Sequence, residues 1–359
     1  MLDNCIALQQ RLKIISNMRV ILSLVNVLLF LLVASSCKEE QTHVMKIDLS
    51  QLKTDIRYSE FVDSVSYFTL HTNDSCIVSE VGRLYIDGDY TILVGRGGNG
   101  VCVYLNNHLH CNIAKYGRGP GEYIGITDIC LDKLNKHICI YDEMGKILRY
   151  TYDGQLVKEQ QFKDLMRSFT NIAGKFVCIQ PADLRERRSG VWCANFDGVF
   201  EKELIPGCKD NVLECIHSKY FHYYSDGEIS YYDYYENCIY SITPDTAVLK
   251  YQIDLAQALP LRLKRKRDND LENYFMLATC YDFEKYLLLF YASTDTFYQV
   301  LYDKQRSTYR VTDNLVNDLL PAGAVEVSEH CIDANTLAVE ISSEEDDYDL
   351  HFQILYIKN

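Results

Sequence analysis

The sequence predicts an all-β chain folded as a six-bladed β-propeller, and three observations lead there. After residue 40 the apolar segments are short, β-rich and bounded by Asp-Gly, Asn-Asn or Gly turn signals. They recur in groups of about four strands whose starts, near residues 80, 127, 169, 220, 275 and 325, are roughly 50 residues apart. One further strand-like run, Phe61–Leu70, precedes the first group and belongs to none. The composition of the 359 residues, 48% hydrophobic and 24% charged, is that of a globular protein; it excludes a disordered chain and a polytopic membrane protein. Six prolines and 18 glycines leave no room for long low-complexity linkers.

Taken in chain order, the first element is an address. Met18-Arg19 leads into the apolar run Val20–Val33, and Ala34-Ser35-Ser36-Cys37 follows. A basic start, a short apolar stretch and small residues before a cut site describe a secretory signal over residues 1–36, and a start at Met18 would give it standard length. The run is short of the about 20 residues a membrane span needs, which disfavours an uncleaved anchor helix. Small residues before a Cys at the end of such a run resemble a bacterial lipobox. That resemblance implies a diacylglyceryl group on Cys37 and a cut before it. Lys38-Glu39-Glu40 resembles the export signal of Bacteroidota-type surface lipoproteins. Residues 37–45 are then a lipidated Cys and linker, and 46–359 the propeller. Removing residues 1–36 takes away Arg11, Lys13, Arg19 and Asp3 and moves the net charge from −14 to −16. An anionic envelope surface repels such a chain, so lipid and not charge must hold it there, each buried CH₂ contributing about 0.8 kcal/mol.

Phe61–Leu70 is the expected closing strand, pairing with the C-terminal run His351–Ile357 so that neither end of the ring exposes an edge. The first blade reads as two hairpins, with Asp87-Gly88-Asp89 and Asn106-Asn107 at the turns. The second runs from Thr127 to Glu159 with Asp153-Gly154 at its last turn. The third passes Asp197-Gly198, the fourth opens on Asp226-Gly227, and the fifth and sixth start near Phe275 and Val325. Leu255–Thr279 breaks the pattern. Its helix-like spacing and the basic run Arg262–Arg267 read as a solvated insertion between blades rather than a nucleic-acid patch, given the acidic whole.

Lys115-Tyr116-Gly117-Arg118-Gly119-Pro120-Gly121-Glu122-Tyr123 closes the first blade. Gly119-Pro120-Gly121-Glu122 suits a type II turn, Pro setting φ at the second place and Gly taking positive φ at the third. The stretch resembles the Gly-Arg-x-Gly-Pro-Gly-Glu signature of the Bacteroidota-type six-bladed β-propeller lipoproteins. Ser64-Val65-Ser66-Tyr67-Phe68-Thr69-Leu70 is similar to that family's entry strand, and Ile140-Tyr141-Asp142 with Lys146-Ile147 and Tyr152-Asp153-Gly154 to its second-blade repeat. The resemblance implies fold and location; the family has no general assigned reaction.

Several motifs have bland readings. Gly95-Arg96-Gly97-Gly98-Asn99-Gly100 matches the dinucleotide fingerprint by letter, but Val101-Cys102-Val103-Tyr104 follows as a strand where a helix is required. The acidic run Ser343–Asp349 lacks a calcium-loop glycine and reads as a solvated turn. Setting aside Cys5 and Cys37, the other 12 of 14 cysteines lie mostly in apolar strand-like runs, without zinc spacing, and read as free buried thiols rather than a disulfide framework. No nucleophile elbow or H-E-x-x-H is present, and the histidines (43, 71, 108, 110, 137, 217, 222, 330, 351) are scattered. His108-x-His110 would point to one face of an outer strand.

Binding candidates are Tyr116, Arg118 and Glu122 around the Gly-Pro turn. Tyr224, Tyr232 and Tyr234 join them from the runs that hold much of the tyrosine excess, 28 Tyr against 14 Phe and 1 Trp. Inter-blade packing is the competing role for those rings. The sequence identifies no catalytic residue, since spacing does not reveal a site drawn from several blades at the channel; no protein-held metal or cofactor is expected, with a cation in the axial channel the one alternative left open. The expectation is an outer-membrane lipoprotein, surface-exposed or periplasm-facing, that presents a rigid binding platform to a glycan, peptide or envelope protein and not to nucleic acid. The alternative is a propeller enzyme, a hydrolase or lyase acting on a sugar or lactone at the channel.

Overall fold

The computed structural model describes residues 43–52, 55–72, 76, 78, 80–96, 100–180, 190–207, 220–225, 227–233, 236–260, 274–342 and 349–359. The signal-like segment, Cys37, Lys38-Glu39-Glu40, Tyr234, the basic run 262–267 and residues 343–348 of the acidic run lie outside them. The chain enters through β1 (His43–Ile47), β2 (Ile56–Arg57), a single helical turn α1 (Tyr58–Phe61) and β3 (Val62–Leu70). The first blade is β4 (Val81–Asp87), β5 (Tyr90–Gly95), β6 (Val101–Leu105) and β7 (His108–Ile113). The second is β8 (Ile126–Asp132), β9 (His137–Asp142), β10 (Lys146–Thr151) and β11 (Leu156–Gln161); the third is β12 (Ser168–Ile172), β13 (Lys175–Gln180), β14 (Gly190–Ala194) and β15 (Phe200–Pro206). In the fourth, β16 (Phe221–Ser225), β17 (Glu228–Asp233), β18 (Cys238–Ile242) and β19 (Ala247–Leu255) take β1 as a fifth, outermost strand. The fifth comprises β20 (Met276–Asp282), β21 (Tyr286–Ala292), β22 (Phe297–Asp303) and β23 (Thr308–Thr312). After β24 (Leu315–Val316), which pairs with β2, the sixth holds β25 (Val325–Asp333), β26 (Thr336–Ser342) and β27 (Leu350–Ile357), completed by β3.

Each sheet buries both faces, which explains strands that are apolar without a break. Along β8, Ile129 and Leu131 face the first blade while Cys130 faces the third; along β9, Ile138 and Ile140 divide in the same way from Cys139 and Tyr141. Six apolar clusters result, one at each seam between neighbouring blades. Small thiols suit these crowded seams. Cys130, Cys139, Cys178, Cys193, Cys238 and Cys280 are buried and unbridged, and burial drives the thiols of Cys130, Cys178 and Cys280 well above their ordinary pKa.

The expected closure is present: β3 lies antiparallel to β27, Leu350 opposite Leu70 and Phe352 opposite Phe68, whose rings stack at 5.1 Å. The turn chemistry also holds. Asn106 and Asn107 take φ of 49° and 68°, the left-handed pair of a type I′ turn, and Gly121 takes +71° while the Glu122 amide bonds the Gly119 carbonyl at 3.1 Å.

Three readings need correction. Cys76 and Cys102 form a disulfide with Cα atoms 6.6 Å apart, so not every cysteine is a free core thiol. His43–Ile47 is a strand from its first residue, so the linker expected over 37–45 runs into the sheet; β1 pairs parallel with β19, and its Met45 and Ile47 are buried. His108 and His110 do not share a role on one face. The pairing passes from Val103–Cys111 to Tyr104–Leu109, so His110 is a bulge residue. His108 stacks on His71 at 5.0 Å, while His110 Nε2 meets Asp153 at 2.7 Å.

Candidate functional site

The inner strand of every blade is a sheet edge, and five of the six border a cavity of about 460 Å³. Its wall comes from β4, β8, β12, β16 and the end of β25. β16 packs against β25, and no residue of β20 reaches the wall.

The wall is organised around Asp128, which is 1% exposed. Its carboxylate pairs with Arg83 from the first blade and accepts the Ser168 hydroxyl from the third. It also accepts the Phe169 amide at 2.9 Å and the Ile129 amide at 2.7 Å. The Ile129 carbonyl in turn accepts the Tyr85 hydroxyl at 2.8 Å and an Arg83 N–H at 3.5 Å. Burial pushes the Tyr85 phenol above its ordinary pKa, so it stays a donor. A buried carboxylate is tolerable only with such a set of donors. Here the set ties three blades together and caps edge amides that would otherwise face the cavity unsatisfied.

Toward the β8–β9 turn the wall carries Asp87, Asp132, Lys133 and Leu134. Asp87 accepts Lys136 Nζ at 2.6 Å and the Tyr152 hydroxyl at 2.8 Å. Asp132 accepts Asn135 Nδ2 at 2.8 Å. Lys133 reaches over the ring of Tyr223 at 4.1 Å, a cation–π contact from the second blade to the fourth. Leu134, in the same turn, is 86% exposed. Tyr220, Phe221 and His222 add an aromatic side, with His222 edge-on to Tyr281 at 5.9 Å. Among the described residues no group of three His, Cys, Asp or Glu is placed to hold a metal ion.

None of the described binding candidates, Tyr116, Arg118, Glu122, Tyr224 and Tyr232, lies in this wall. Glu122 accepts the Gly119 amide at 2.8 Å, and Glu159 accepts that of Gly121 at 2.6 Å. Lys146 bonds the Glu122 carbonyl at 2.6 Å, so the Gly-Pro turn is a brace between the first two blades. Arg118 is exposed and no contact joins it to Glu122, and Tyr116 is 49% exposed with its ring edge-on to Tyr123. Tyr224 lies between Lys250 at 4.4 Å and Lys304 at 5.7 Å, and burial pushes its phenol up to about 12. The Tyr232 hydroxyl bonds Asn237 at 3.0 Å while its ring packs on the seam between the fourth and fifth blades. These rings do not converge. The sequence does not point to Arg83, Asp128 or Ser168, and it offers His222 only as one of nine scattered histidines. What these residues share is a place in the first strand of a repeat.

A family model described as a domain of unknown function, DUF4934, matches residues 44–350. No curated protein matches the chain. Among solved structures, a Bacteroides fragilis protein named as a candidate exported protein (BF0058) is similar, with 16% identity and a TM-score of 0.67, over 88% of this chain and all of that one. A DUF4221-family protein of Bacteroides vulgatus shares 10% identity over 83% of this chain and 98% of that one, with a TM-score of 0.47.

Proposed function

The chain belongs to the DUF4934 family, and from that premise we propose that it is a cell-envelope binding protein whose axial cavity is the ligand site. The observation that carries this reading is the cavity itself: about 460 Å³, walled by five blades and lined by aromatic residues together with hydrogen-bonding ones. Binding fits the wall better than proton transfer does, because Asp128, Asp87 and Asp132 are each committed to donors of the protein itself. The envelope address rests on the signal-like residues 1–36 and the lipobox-like Cys37. The name of the Bacteroides fragilis protein, a candidate for export, agrees with it.

Two experiments test the two halves. A ligand that raises the melting temperature of the purified chain is expected to lose its effect in Lys133→Ala and Tyr223→Ala; a shift that survives both moves the site elsewhere. Metabolic labelling with an alkyne fatty acid is expected to mark the native chain and leave Cys37→Ser unmarked; equal labelling of the two would end the lipoprotein assignment.

A further inference from the structure

One cation of the cavity wall has no anion of its own. The lining holds three carboxylates, Asp87, Asp128 and Asp132, and two cations, Arg83 and Lys133. The acids are engaged, and their side chains are 13%, 1% and 3% exposed. Asp128 pairs with Arg83, and Asp87 with Lys136 beside the cavity. Asp132 accepts the Asn135 amide at 3.3 Å and Asn135 Nδ2 at 2.8 Å, with His137 Nδ1 3.9 Å away.

Lys133 differs. It is half-buried, and among the described residues no carboxylate pairs with it and no oxygen accepts its protons. Its ammonium lies 4.1 Å from the centroid of the Tyr223 ring. A ring face attracts a cation, but oxygen acceptors are what its three N–H groups want. The fold sets its place. Lys133 follows the last residue of β8 in the second blade and meets a ring on β16 in the fourth, so it reaches across the third, whose β12 packs on β8. From that third blade Asn171 also lines the cavity. Its side-chain oxygen accepts the Gly174 amide at 3.2 Å, which leaves its NH₂ group as a neutral donor.

These features define a ligand by its charge. One unmatched cation in a low-dielectric wall balances one negative charge. A second negative charge would meet Asp87 and Asp132 with nothing to offset it, which disfavours phosphate. A cationic ligand would have Lys133 against it and only carboxylates already supplied with donors to receive it. A carboxylate has two oxygens, enough to accept from an ammonium and an amide NH₂ together. Ile86, Leu134 and Phe221 add apolar lining, which suits an organic body rather than a bare ion.

We propose that the axial cavity binds a small organic monocarboxylate, its carboxylate held by the Lys133 ammonium with the Asn171 NH₂ group as second donor. This deepens the binding reading above and rests on it. The test is isothermal titration of the purified chain with carboxylates and their uncharged counterparts: benzoate and benzamide, phenylacetate and phenylacetamide, hexanoate and hexanamide, glucuronate and glucose. Inorganic phosphate and benzylamine run beside them as the more highly charged anion and the cation. At least one carboxylate is expected to bind saturably, roughly tenfold more tightly than its uncharged counterpart, and to weaken as sodium chloride is raised. Lys133→Met keeps the stem and removes the charge; it is expected to weaken that carboxylate roughly tenfold, the equivalent of about 1.4 kcal/mol, and Lys133→Arg to keep most of the affinity. Lys46→Met, at an exposed lysine of β1 outside the wall, is expected to leave binding unchanged. Circular dichroism and melting curves confirm that each variant folds, and the paired ligands and the salt series read the charge in the native chain regardless of the variants. Tightest binding by phosphate, benzylamine or an uncharged counterpart, indifferent to Lys133→Met but lost in Asn171→Ala, overturns the carboxylate assignment and keeps the cavity as the site. Saturable binding by no probe, or binding indifferent to both Lys133→Met and Asn171→Ala, overturns both.

Discussion

At the scale of single residues, Glu329 shows how this fold handles a carboxylate it cannot fully solvate. It lies on β25 opposite Val339, a residue of the apolar seam between the fifth and sixth blades, and the Tyr58 hydroxyl donates to it. Burial lifts its pKa to about 7 from an ordinary 4.5. Between those values the folded chain holds a proton that the unfolded chain has released, so stability falls as pH rises from about 4.5 to about 7. Glu329→Gln keeps an acceptor for Tyr58 and carries no charge. It is expected to match the native chain in urea unfolding at pH 4 and to exceed it at pH 8 by roughly 2–3 kcal/mol. Equal stability at pH 8 would show that the carboxylate is solvated. Asp128 is the contrasting case, a buried side chain surrounded by donors. Its role was illegible in sequence because Arg83, Ser168 and Phe169 lie some 40 or more residues away in other blades. His108 and His110 were misread for a local reason: a one-residue bulge, which an alternating pattern does not record, sends them to different neighbours.

At the scale of elements, the strands that open and close the chain were unequally readable. Phe61–Leu70 was identifiable because it is a good strand with no group of its own, and a ring of sheets has one vacancy for such a strand. The starts of the six groups were readable because Asp-Gly and Asn-Asn turns punctuate strands of nearly constant length. β1 was not, since five residues, His-Val-Met-Lys-Ile, carry too little pattern and its parallel pairing with β19 lies outside the repeat. β3 joins the first-made part of the chain to the last, with Phe68 stacked on Phe352. A chain that begins at His71 leaves the β27 edge unpaired and the seam between the sixth and first blades incomplete. Such a chain is expected to aggregate or to melt without a cooperative transition, and a synthetic Phe61–Leu70 peptide is expected to restore the transition. A cooperative melt at the native temperature without the peptide would show that closure by β3 contributes little.

At the scale of the whole molecule, period and strand count specify six sheets but not how symmetrically they meet. β16 meets β25 as well as β20, and the cavity is lined by five inner strands without β20. No repeat arithmetic contains that fact, because it depends on how far each inner strand leans toward the centre. The cavity itself was illegible for the same reason, being assembled from residues between Arg83 and Ile332 that meet only when the ring shuts.

The path of the entering chain has a mechanical consequence. β1 lies on the rim of the fourth blade, β2 pairs beyond the fifth and β3 seals the sixth, so about 28 residues span three successive blades before the first repeat begins. Tension applied upstream of His43 therefore loads the β1–β19 ladder first and can reach the seal only after that ladder has given way. The parallel strand works as a strain relief, like the clamp that keeps a tugged cable from pulling on its solder joint.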